Sequence, residues 1–327
     1  MAWPHTATDW KAHLSQARAT FAHIVAAASH FARVILVTSV PEESRQVLRQ
    51  TNALLDRISF YSLPSNDTWA RDFGPITVLE DNRPLLLDFQ FNGWGGKFPF
   101  DLDTQLSRRL KEHGVFGGTH LRSIRFVLEG GSIESDGHGT ILATSSCLAN
   151  PNRNPHLTRQ ETEQTLRLFL GANRVVWLEH GHLTGDDTNG HVDMLARFAP
   201  RNTIVYQSCN DANDEHLHSL SAMAGELAGL RTADGQPYHL LALPWPSAKY
   251  DSAGDRLPVS YANFLILNGA VLVPTYSDRR DAAALEIIGK AFPGRKVIGI
   301  DCSTLVLQHG SLHCVTMQIP KGVLAST

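Results

Sequence analysis

The feature of this sequence that most restricts its fold is a unit that recurs about every 60 residues. Each unit has a segment with helical spacing of apolar residues, a short β-rich strand, a polar loop and a β-hairpin. The loop-to-hairpin junctions lie at Asp72, Glu129, His191, Tyr261 and Cys314. Because repeated supersecondary units pack in a row or around an axis, five units predict a closed α/β ring whose loops face one central mouth. The pattern leaves one alternative, an open α/β sheet.

The same periodicities define the individual elements. The predicted helices span residues 10–29, 42–56, 104–113, 157–170, 215–230 and 281–292. The predicted single strands span residues 33–39, 58–63, 124–128, 174–178, 238–243 and 296–300. The predicted hairpins span residues 76–91, 133–144, 191–207 and 261–276, and residues 311–319 are predicted as the last strand.

Composition places the chain among globular proteins and excludes several classes of partner. Its 327 residues can bury a substantial core, and we expect a single catalytic domain over residues 1–327. The formal net charge of −3 gives no basic surface for nucleic acid or for an anionic membrane. The N-terminal residues lack the basic and apolar regions of a signal peptide, and the four cysteines are scattered along the chain. We therefore expect a cytoplasmic protein with reduced thiols.

Four of the five junctions carry a charged or nucleophilic side chain. Asp72 lies in WARDFGP, Glu129 in LEGGS, His191 and Asp193 in NGHVD, and Cys314 in SLHC. A closed ring would bring these residues together, whereas an open array would keep them far apart. His191 and Asp193 are two positions apart on an expected strand, so we expect their side chains to share a face.

The combination of one cysteine with three carboxylates restricts the substrate. A cysteine attacks as a thiolate, and neighbouring carboxylates raise the pKa of its thiol and suppress that form. This conflict disappears when the substrate is a cation, because two carboxylates bind the positive charge and the charge stabilises the thiolate. A guanidinium fits especially well, since its planar set of N–H donors pairs bidentately with carboxylates.

Seven segments of the chain carry a more specific signal. They read, in order, WARDFGPI, FNGWGGK, LEGGSIESDGHGT, CLANPNRNPHLT, GDDTNGHVD, LPVSYANFLILNGAVLVPTY and GSLHCVTMQIP. In order and spacing they resemble the agmatine deiminase family of the guanidine-modifying pentein superfamily, which is related to bacterial peptidylarginine deiminases. The resemblance covers nearly the whole chain. It implies a five-bladed α/β propeller, hydrolysis of agmatine, and a chemistry that uses neither metal nor organic cofactor.

The resemblance also implies a role for each reactive residue. Cys314 would attack the guanidinium carbon and form a covalent amidino-thioether. His191 would protonate the leaving ammonia and then activate the hydrolytic water. Asp72 and Asp193 would bind the guanidinium nitrogens, and Glu129 would orient His191 and stabilise its charge. Because members of the family often form dimers, a homodimer is expected as well.

Two tryptophans and one departure from the family pattern concern the rest of the substrate. Trp69 and Trp94 lie beside the reactive loops, either as core residues or as walls around the methylene chain of the substrate. Plant-type members have GGGNIHC up to the nucleophile, whereas this chain has Gln308 and His309 in the first two positions. A peptidylarginine or free-arginine deiminase therefore stays open. Such an enzyme would need a nearby arginine for an α-carboxylate at the far end of the substrate.

Three further functions stay open at this point. An amidinotransferase would pass the amidino group to an amine, and a catalytically silent propeller would bind guanidino compounds as a sensor. A metallohydrolase would use His191 together with His180 and His182, because imidazole is a common zinc ligand. These histidines lack the close ligand spacing on one element that is typical of zinc sites, so we expect no metal.

Overall fold

The computed structural model describes residues 1–325 and arranges them as five small β-sheets with helices between them. The strands are β1 (Val34–Val37), β2 (Ile58–Tyr61), β3 (Ile76–Glu80), β4 (Arg83–Gln90), β5 (His120–Val127), β6 (Ile133–Ser135), β7 (Thr140–Thr144), β8 (Arg174–Leu178), β9 (Ala196–Ala199), β10 (Thr203–Gln207), β11 (His239–Leu243), β12 (Leu265–Leu267), β13 (Ala270–Thr275) and β14 (Lys296–Asp301). The α-helices are Leu14–Ser29, Pro41–Leu48, Ala70–Phe73, Leu106–Glu112, Ser145–Leu148, Arg159–Leu170, Leu217–Gly229 and Asp281–Ala291. Short 3₁₀ helices lie at Asp9–His13, Leu55–Arg57, Asp103–Gln105, Gly130–Ser132, Val192–Met194 and Leu305–Gln308.

Four of the five sheets share one topology. In each of them two antiparallel strands form a hairpin and a third strand lies parallel to the second, as in β3-β4-β5 and β6-β7-β8. The sheets β9-β10-β11 and β12-β13-β14 repeat this arrangement. A helix makes each parallel connection, for example Arg159–Leu170 between β7 and β8. The unit predicted from the sequence is therefore present in all four sheets.

The fifth sheet brings the start of the chain beside its end. It contains the parallel pair β1-β2, and Ala2 forms a further parallel bridge with Val37 of β1. Helix Leu14–Ser29 packs against β14, so the first and last units adjoin. Phe21 and Ile24 of this helix are fully buried in the larger hydrophobic core. The fold is the closed ring of five units that the repeat predicts and the five-bladed α/β propeller that the resemblance implies, and the open sheet is wrong.

Two predicted strand segments at the centre of the ring do not form strands. Residues 311–319 alternate like a strand, but the structure forms a turn at residues 312–315, after the 3₁₀ helix Leu305–Gln308, and no regular element in the rest of the segment. Their backbone groups are already bonded within the site: Cys314 O accepts from the Arg71 N–H, and the His313 N–H donates to Asn263 Oδ1. A β-ladder would require the same groups, so the prediction of a last strand is wrong.

The second such segment contains His191 and Asp193. It was expected on a strand, but His191 immediately precedes the 3₁₀ helix Val192–Met194. Gly190 has a φ of 94°, and its N–H donates to an Asp186 carboxylate oxygen, which turns the chain before the helix. The expectation of a shared strand face is therefore wrong, although both side chains still reach one site.

The helices differ from the prediction mainly in length. The helix expected over residues 42–56 spans only Pro41–Leu48. The Thr51 hydroxyl donates to the Leu48 carbonyl and accepts from the Ala53 N–H, so a local turn replaces the next helical bonds. Within residues 1–325, no helix is both long enough and apolar enough to cross a bilayer.

Candidate active site

Gly131 lies where three of the reactive loops meet. A Cβ built on this glycine would lie 2.6 Å from His191 Nδ1, 2.9 Å from Asp72 Oδ1 and 3.1 Å from Asp193 Oδ2. Such distances are shorter than ordinary van der Waals contacts, so only glycine leaves room for the three polar atoms. The ring thus brings three of the predicted site residues around one point, as expected.

Asp72 is fixed by two donors from different loops. Its Oδ1 accepts from the Gly131 N–H at 2.9 Å, and its Oδ2 accepts from Trp94 Nε1–H at 2.9 Å. Trp94 has a left-handed φ of 55°, which directs the indole from the turn Gly93–Gly96 towards this carboxylate. Burial raises the pKa of Asp72 well above its usual value, and the nearby Asp193 raises it further. A bound cation would favour the ionised carboxylate.

Asp193 has one oxygen bonded and one free. Its Oδ2 lies 2.7 Å from His313 Nδ1, whereas its Oδ1 is buried and has no hydrogen-bond partner among the described residues. Burial raises the pKa of Asp193 to about 7, against the opposing effect of Arg197 and Arg71. A buried carboxylate oxygen without a donor is unfavourable, so Oδ1 is suited to receive an N–H from a ligand.

His191 is buried and neutral in this arrangement. Its Nδ1 lies 3.8 Å from Asp72 Oδ1, and its Nε2 has no hydrogen-bond partner in the part of the chain that the structure describes. Burial lowers the pKa of His191 well below its usual value, and Arg153 lowers it further. A neutral imidazole can accept a proton, as a general base must.

Glu129 is held by an arginine that the sequence did not point to. Both of its carboxylate oxygens lie 3.1 Å from Arg153 Nε, and both side chains are fully buried. Arg153 also donates to Asn189 Oδ1 and to the Thr188 carbonyl, which joins two reactive loops. Among residues 1–325 no direct hydrogen bond links Glu129 to His191, so its predicted role on His191 would act through charge or through Arg153.

Glu129, Cys147 and His191 form the one cluster of possible metal ligands found in the described chain. One donor atom from each residue lies within 4.8 Å of the others. The Glu129 carboxylate is already paired with the Arg153 guanidinium, and a second cation beside that guanidinium would be repelled. The donor set therefore fits an ion pair better than a metal centre.

Cys314 lies at the bottom of the same site. Its Sγ lies 3.4 Å from Asn263 Oδ1 and 3.9 Å from Asp193 Oδ2. Burial raises the pKa of the Cys314 thiol well above its usual value, and Asp193 and Asp72 add to the effect. The carboxylates act in the direction that the sequence predicts, because both favour the protonated thiol.

A pocket of about 330 Å³ leads from the surface to Cys314. Trp69 and Trp94 both line it, together with Phe98. A Cβ on Gly310 would lie 2.2 Å from the Trp69 ring, so this glycine allows the indole to pack directly on the cysteine loop. The two tryptophans are therefore both buried core residues and walls of the pocket.

The outer part of the pocket is acidic. Asp9, Asp67, Asp186 and Asp187 line it and are more exposed than the carboxylates beside Cys314. Burial raises the pKa of Asp67 to about 7, with Asp9 next in effect, and burial raises that of Asp187 to about 6. The carboxylates repel one another, so this region favours a cation.

No arginine or lysine of the described chain lines this pocket. Three arginines of the polar loops are bonded elsewhere. Arg153 pairs with Glu129, Arg256 pairs with Asp214, and Arg71 donates to Gln318. Among the lining residues an α-carboxylate would therefore meet no guanidinium or ammonium, and the neighbouring Lys97 is bonded to the Asp187 carbonyl and to Asn189.

Sequence reasoning missed Asn263, whose amide oxygen faces the Cys314 thiol and accepts the His313 N–H. The fourth junction was placed at Tyr261, but the Tyr261 hydroxyl donates to Asp281. Asn263 lies only two residues further along. The equivalence of the five junctions was the signal that could have identified it.

Over residues 1–320 the sequence matches the family described as Porphyromonas-type peptidyl-arginine deiminase. It is 34% identical to the agmatine deiminase of Stutzerimonas stutzeri, over 98% of this chain and 92% of that protein. A solved structure from Porphyromonas gingivalis, provisionally described as an arginine deiminase, is 51% identical, with a TM-score of 0.94 over 99% of this chain and 95% of that one. The structure of C. jejuni agmatine deiminase with substrate bound is 36% identical, with a TM-score of 0.89 over 96% of this chain and 90% of that one.

Proposed function

The chain belongs to the Porphyromonas-type peptidyl-arginine deiminase family and is a hydrolase acting on guanidino groups, and we propose that its substrate is agmatine. The products would be N-carbamoylputrescine and ammonia. Relatives named agmatine deiminase match nearly the whole chain, which supports the proposal. We also propose a cytoplasmic location and a homodimer. Light scattering after size exclusion measures the oligomeric state.

The observation that carries this choice is the charge of the pocket. Asp67 and Asp187 line the outer part, and no arginine or lysine among residues 1–325 joins them. Agmatine ends in an ammonium, which carboxylates attract, whereas arginine carries an additional α-carboxylate that they would repel. Trp69 and Trp94 would lie along the methylene chain between the two charged ends.

The proposed reaction begins with the guanidinium between Asp72 and Asp193. An N–H of the guanidinium would bond to Asp193 Oδ1, and the positive charge would lower the pKa of the Cys314 thiol. The thiol proton passes to His191 while Sγ bonds to the guanidinium carbon. His191 then gives that proton to the departing nitrogen, the C–N bond breaks, and ammonia leaves an amidino-thioether.

Hydrolysis of the amidino-thioether would use the same groups, with His191 now taking its proton from water. His191, neutral again, accepts a proton from water as the water oxygen bonds to the amidino carbon. The C–S bond breaks as the hydroxyl of the tetrahedral adduct loses its remaining proton to solvent, so that the neutral ureido product forms, and the proton on His191 returns to the sulfur of Cys314. His191 therefore ends the cycle neutral, and the proton lost to solvent converts the released ammonia to ammonium. Glu129 would stabilise the transient charge on His191, against the opposing effect of Arg153.

The test is ammonia release from a panel of agmatine, free arginine and arginyl peptides. We expect kcat/KM for agmatine to exceed that for arginine by about 100-fold, because arginine brings an unpaired carboxylate into an acidic pocket. Cys314→Ala should bind agmatine but release no ammonia. Faster turnover of arginine than of agmatine, or full activity of Cys314→Ala, would contradict the proposal.

The second candidate is an arginine or peptidylarginine deiminase with the same chemistry. The observation that favours it is the 51% identity to the Porphyromonas gingivalis protein provisionally described as an arginine deiminase. The same panel separates the two candidates, because activity on internal arginyl peptides requires a wide mouth and activity on free arginine requires tolerance of the α-carboxylate.

A further inference from the structure

Four buried side chains form a continuous hydrogen-bonded row behind the cysteine. Glu134 Oε2 accepts from Arg197 Nε at 2.8 Å, Arg197 Nη2 lies 3.1 Å from His313 Nε2, and His313 Nδ1 lies 2.7 Å from Asp193 Oδ2. All four residues are less than one-tenth exposed. The proposed reaction uses only the last of them, so the function of the other three is unassigned.

The row fixes the tautomer of His313. An arginine guanidinium has only N–H donors, so His313 Nε2 must be the acceptor in its contact with Arg197. The ring proton then lies on Nδ1, which donates to Asp193 Oδ2. Arg197 cannot turn away easily, because its other donors bond to Glu134 and to the Phe264 carbonyl. Burial and Arg197 also lower the pKa of His313 well below its usual value, in agreement with a neutral ring.

The tautomer has a direct consequence for the substrate. With Oδ2 of Asp193 held by His313, only Oδ1 is free, and it is the oxygen without a partner in the described chain. We propose that His313 is a positioning residue for the guanidino reaction. Its Nδ1–H fixes the Asp193 carboxylate so that Oδ1 binds the guanidinium, and Arg197 sets the tautomer that makes this possible. This inference rests on the proposed function.

The charges around Asp193 determine how loss of the His313 N–H donor would affect substrate binding. Arg197 and Arg71 favour its ionised form, whereas burial, Glu134 and Asp72 favour the protonated form. Removal of the His313 N–H takes away a short bond to the carboxylate and shifts this balance towards protonation. Substrate binding should therefore weaken, and the weakening should be greatest at low pH.

Two amide substitutions separate this role from simple packing. In His313→Asn the side-chain NH₂ can occupy the position of Nδ1 and still donate to Asp193. In His313→Gln the amide reaches the position of Nε2, next to Arg197, and leaves Asp193 Oδ2 without its donor. We expect His313→Asn to keep KM for agmatine within about threefold of wild type, and His313→Gln to raise it at least tenfold, the range for a bond to a charged group.

The pH profile supplies a readout that packing alone would not change. In His313→Gln the acid limb of kcat/KM should move to higher pH by roughly one unit, and in His313→Asn it should stay in place. The proposal would be overturned if KM for agmatine rose equally in both variants and the acid limb of kcat/KM stayed in place. His216→Asn is the matched control. His216 Nδ1 also lies 2.7 Å from a carboxylate oxygen, that of Asp214, but His216 does not line the pocket. Its substitution should therefore change neither KM nor the acid limb of kcat/KM.

A measurement on the unmodified protein keeps the proposal testable if His313→Gln does not fold. Nitrogen-15 NMR of histidine-labelled protein at neutral pH should show His313 protonated on Nδ1 and unprotonated on Nε2. The opposite tautomer would refute the row as described. If wild type releases no ammonia from agmatine, the proposed function fails. The tautomer and the variant comparison, made with whichever guanidino substrate the panel identifies, still test His313.

Discussion

Substitution of Gly131 by alanine tests whether the three polar groups around it form the active site. The Gly131 φ is not in the left-handed region, so the added methyl group would act by contact alone. It would lie 2.6 Å from His191 Nδ1, 2.9 Å from Asp72 Oδ1 and 3.1 Å from Asp193 Oδ2. Since ordinary contacts need about 3.5 Å, the three atoms must withdraw by roughly 0.4 to 0.9 Å. Misplacement on this scale reduces catalysis by about 100-fold, or ~2.7 kcal/mol in the barrier.

The assay is kcat/KM for ammonia release, measured beside the thermal unfolding midpoint. Gly225→Ala is the matched control, because Gly225 lies in helix Leu217–Gly229, its φ is also outside the left-handed region, and its Cβ would meet no atom within 4 Å. We expect Gly225→Ala to retain full activity. The reasoning is refuted if Gly131→Ala stays within about threefold of wild type while folded, since the site would then tolerate the displacement.

Three further predictions concern the charges of the site. Asp187→Asn should raise KM for agmatine about tenfold in initial-rate kinetics and leave kcat/KM for methylguanidine, which has no tail, unchanged; equal losses with both substrates would contradict it. Arg153→Met leaves the buried Glu129 carboxylate unpaired, so the free energy of unfolding in urea should fall by about 3–5 kcal/mol, and addition of Glu129→Gln should restore part of it; no recovery would contradict it. Burial raises the pKa of Asp193 to about 7 and that of Asp187 to about 6, so both are partly protonated near pH 6, and a bound cation favours their ionised forms. Agmatine binding to Cys314→Ala should therefore release protons near pH 6 and almost none near pH 9, measured by titration calorimetry in two buffers; proton uptake would contradict it.

The ring was predictable because its signal is repeated along the chain. A helix, a strand, a loop and a hairpin recur, and the equivalence of the junctions places Asp72, His191 and Cys314 at one centre before any contact is known. The local structure at that centre was not predictable in the same way. Residues 311–319 alternate between apolar and polar like a strand, but the ring buries residues 311–316 around a turn at 312–315.

The local structure at the centre could not be predicted because it depends on long-range hydrogen bonds. The His313 N–H bonds to Asn263, which is 50 residues earlier in the chain, and the Cys314 carbonyl accepts from Arg71. Local periodicity cannot record such partners, since they depend on how the units close. The partner of Arg153 could not be predicted for the same reason. As part of a polar loop in the sequence it has no evident partner, and only the folded ring places it on Glu129.

The electrostatics of the site link binding to chemistry. Burial and mutual repulsion raise the pKa values of Asp72, Asp193 and Cys314 together, so the free site resists carrying several negative charges. An opposite charge a few ångströms away shifts such groups by about 1–3 units, which corresponds to a tenfold to thousandfold increase in ionised sulfur. In the proposed reaction, a bound guanidinium would therefore ionise the carboxylates that bind it and the cysteine that attacks it at the same time. The ureido product would be neutral, so the proposed conversion removes the charge that held the carboxylates ionised, and the coupling that activates the cysteine would then favour release of the product.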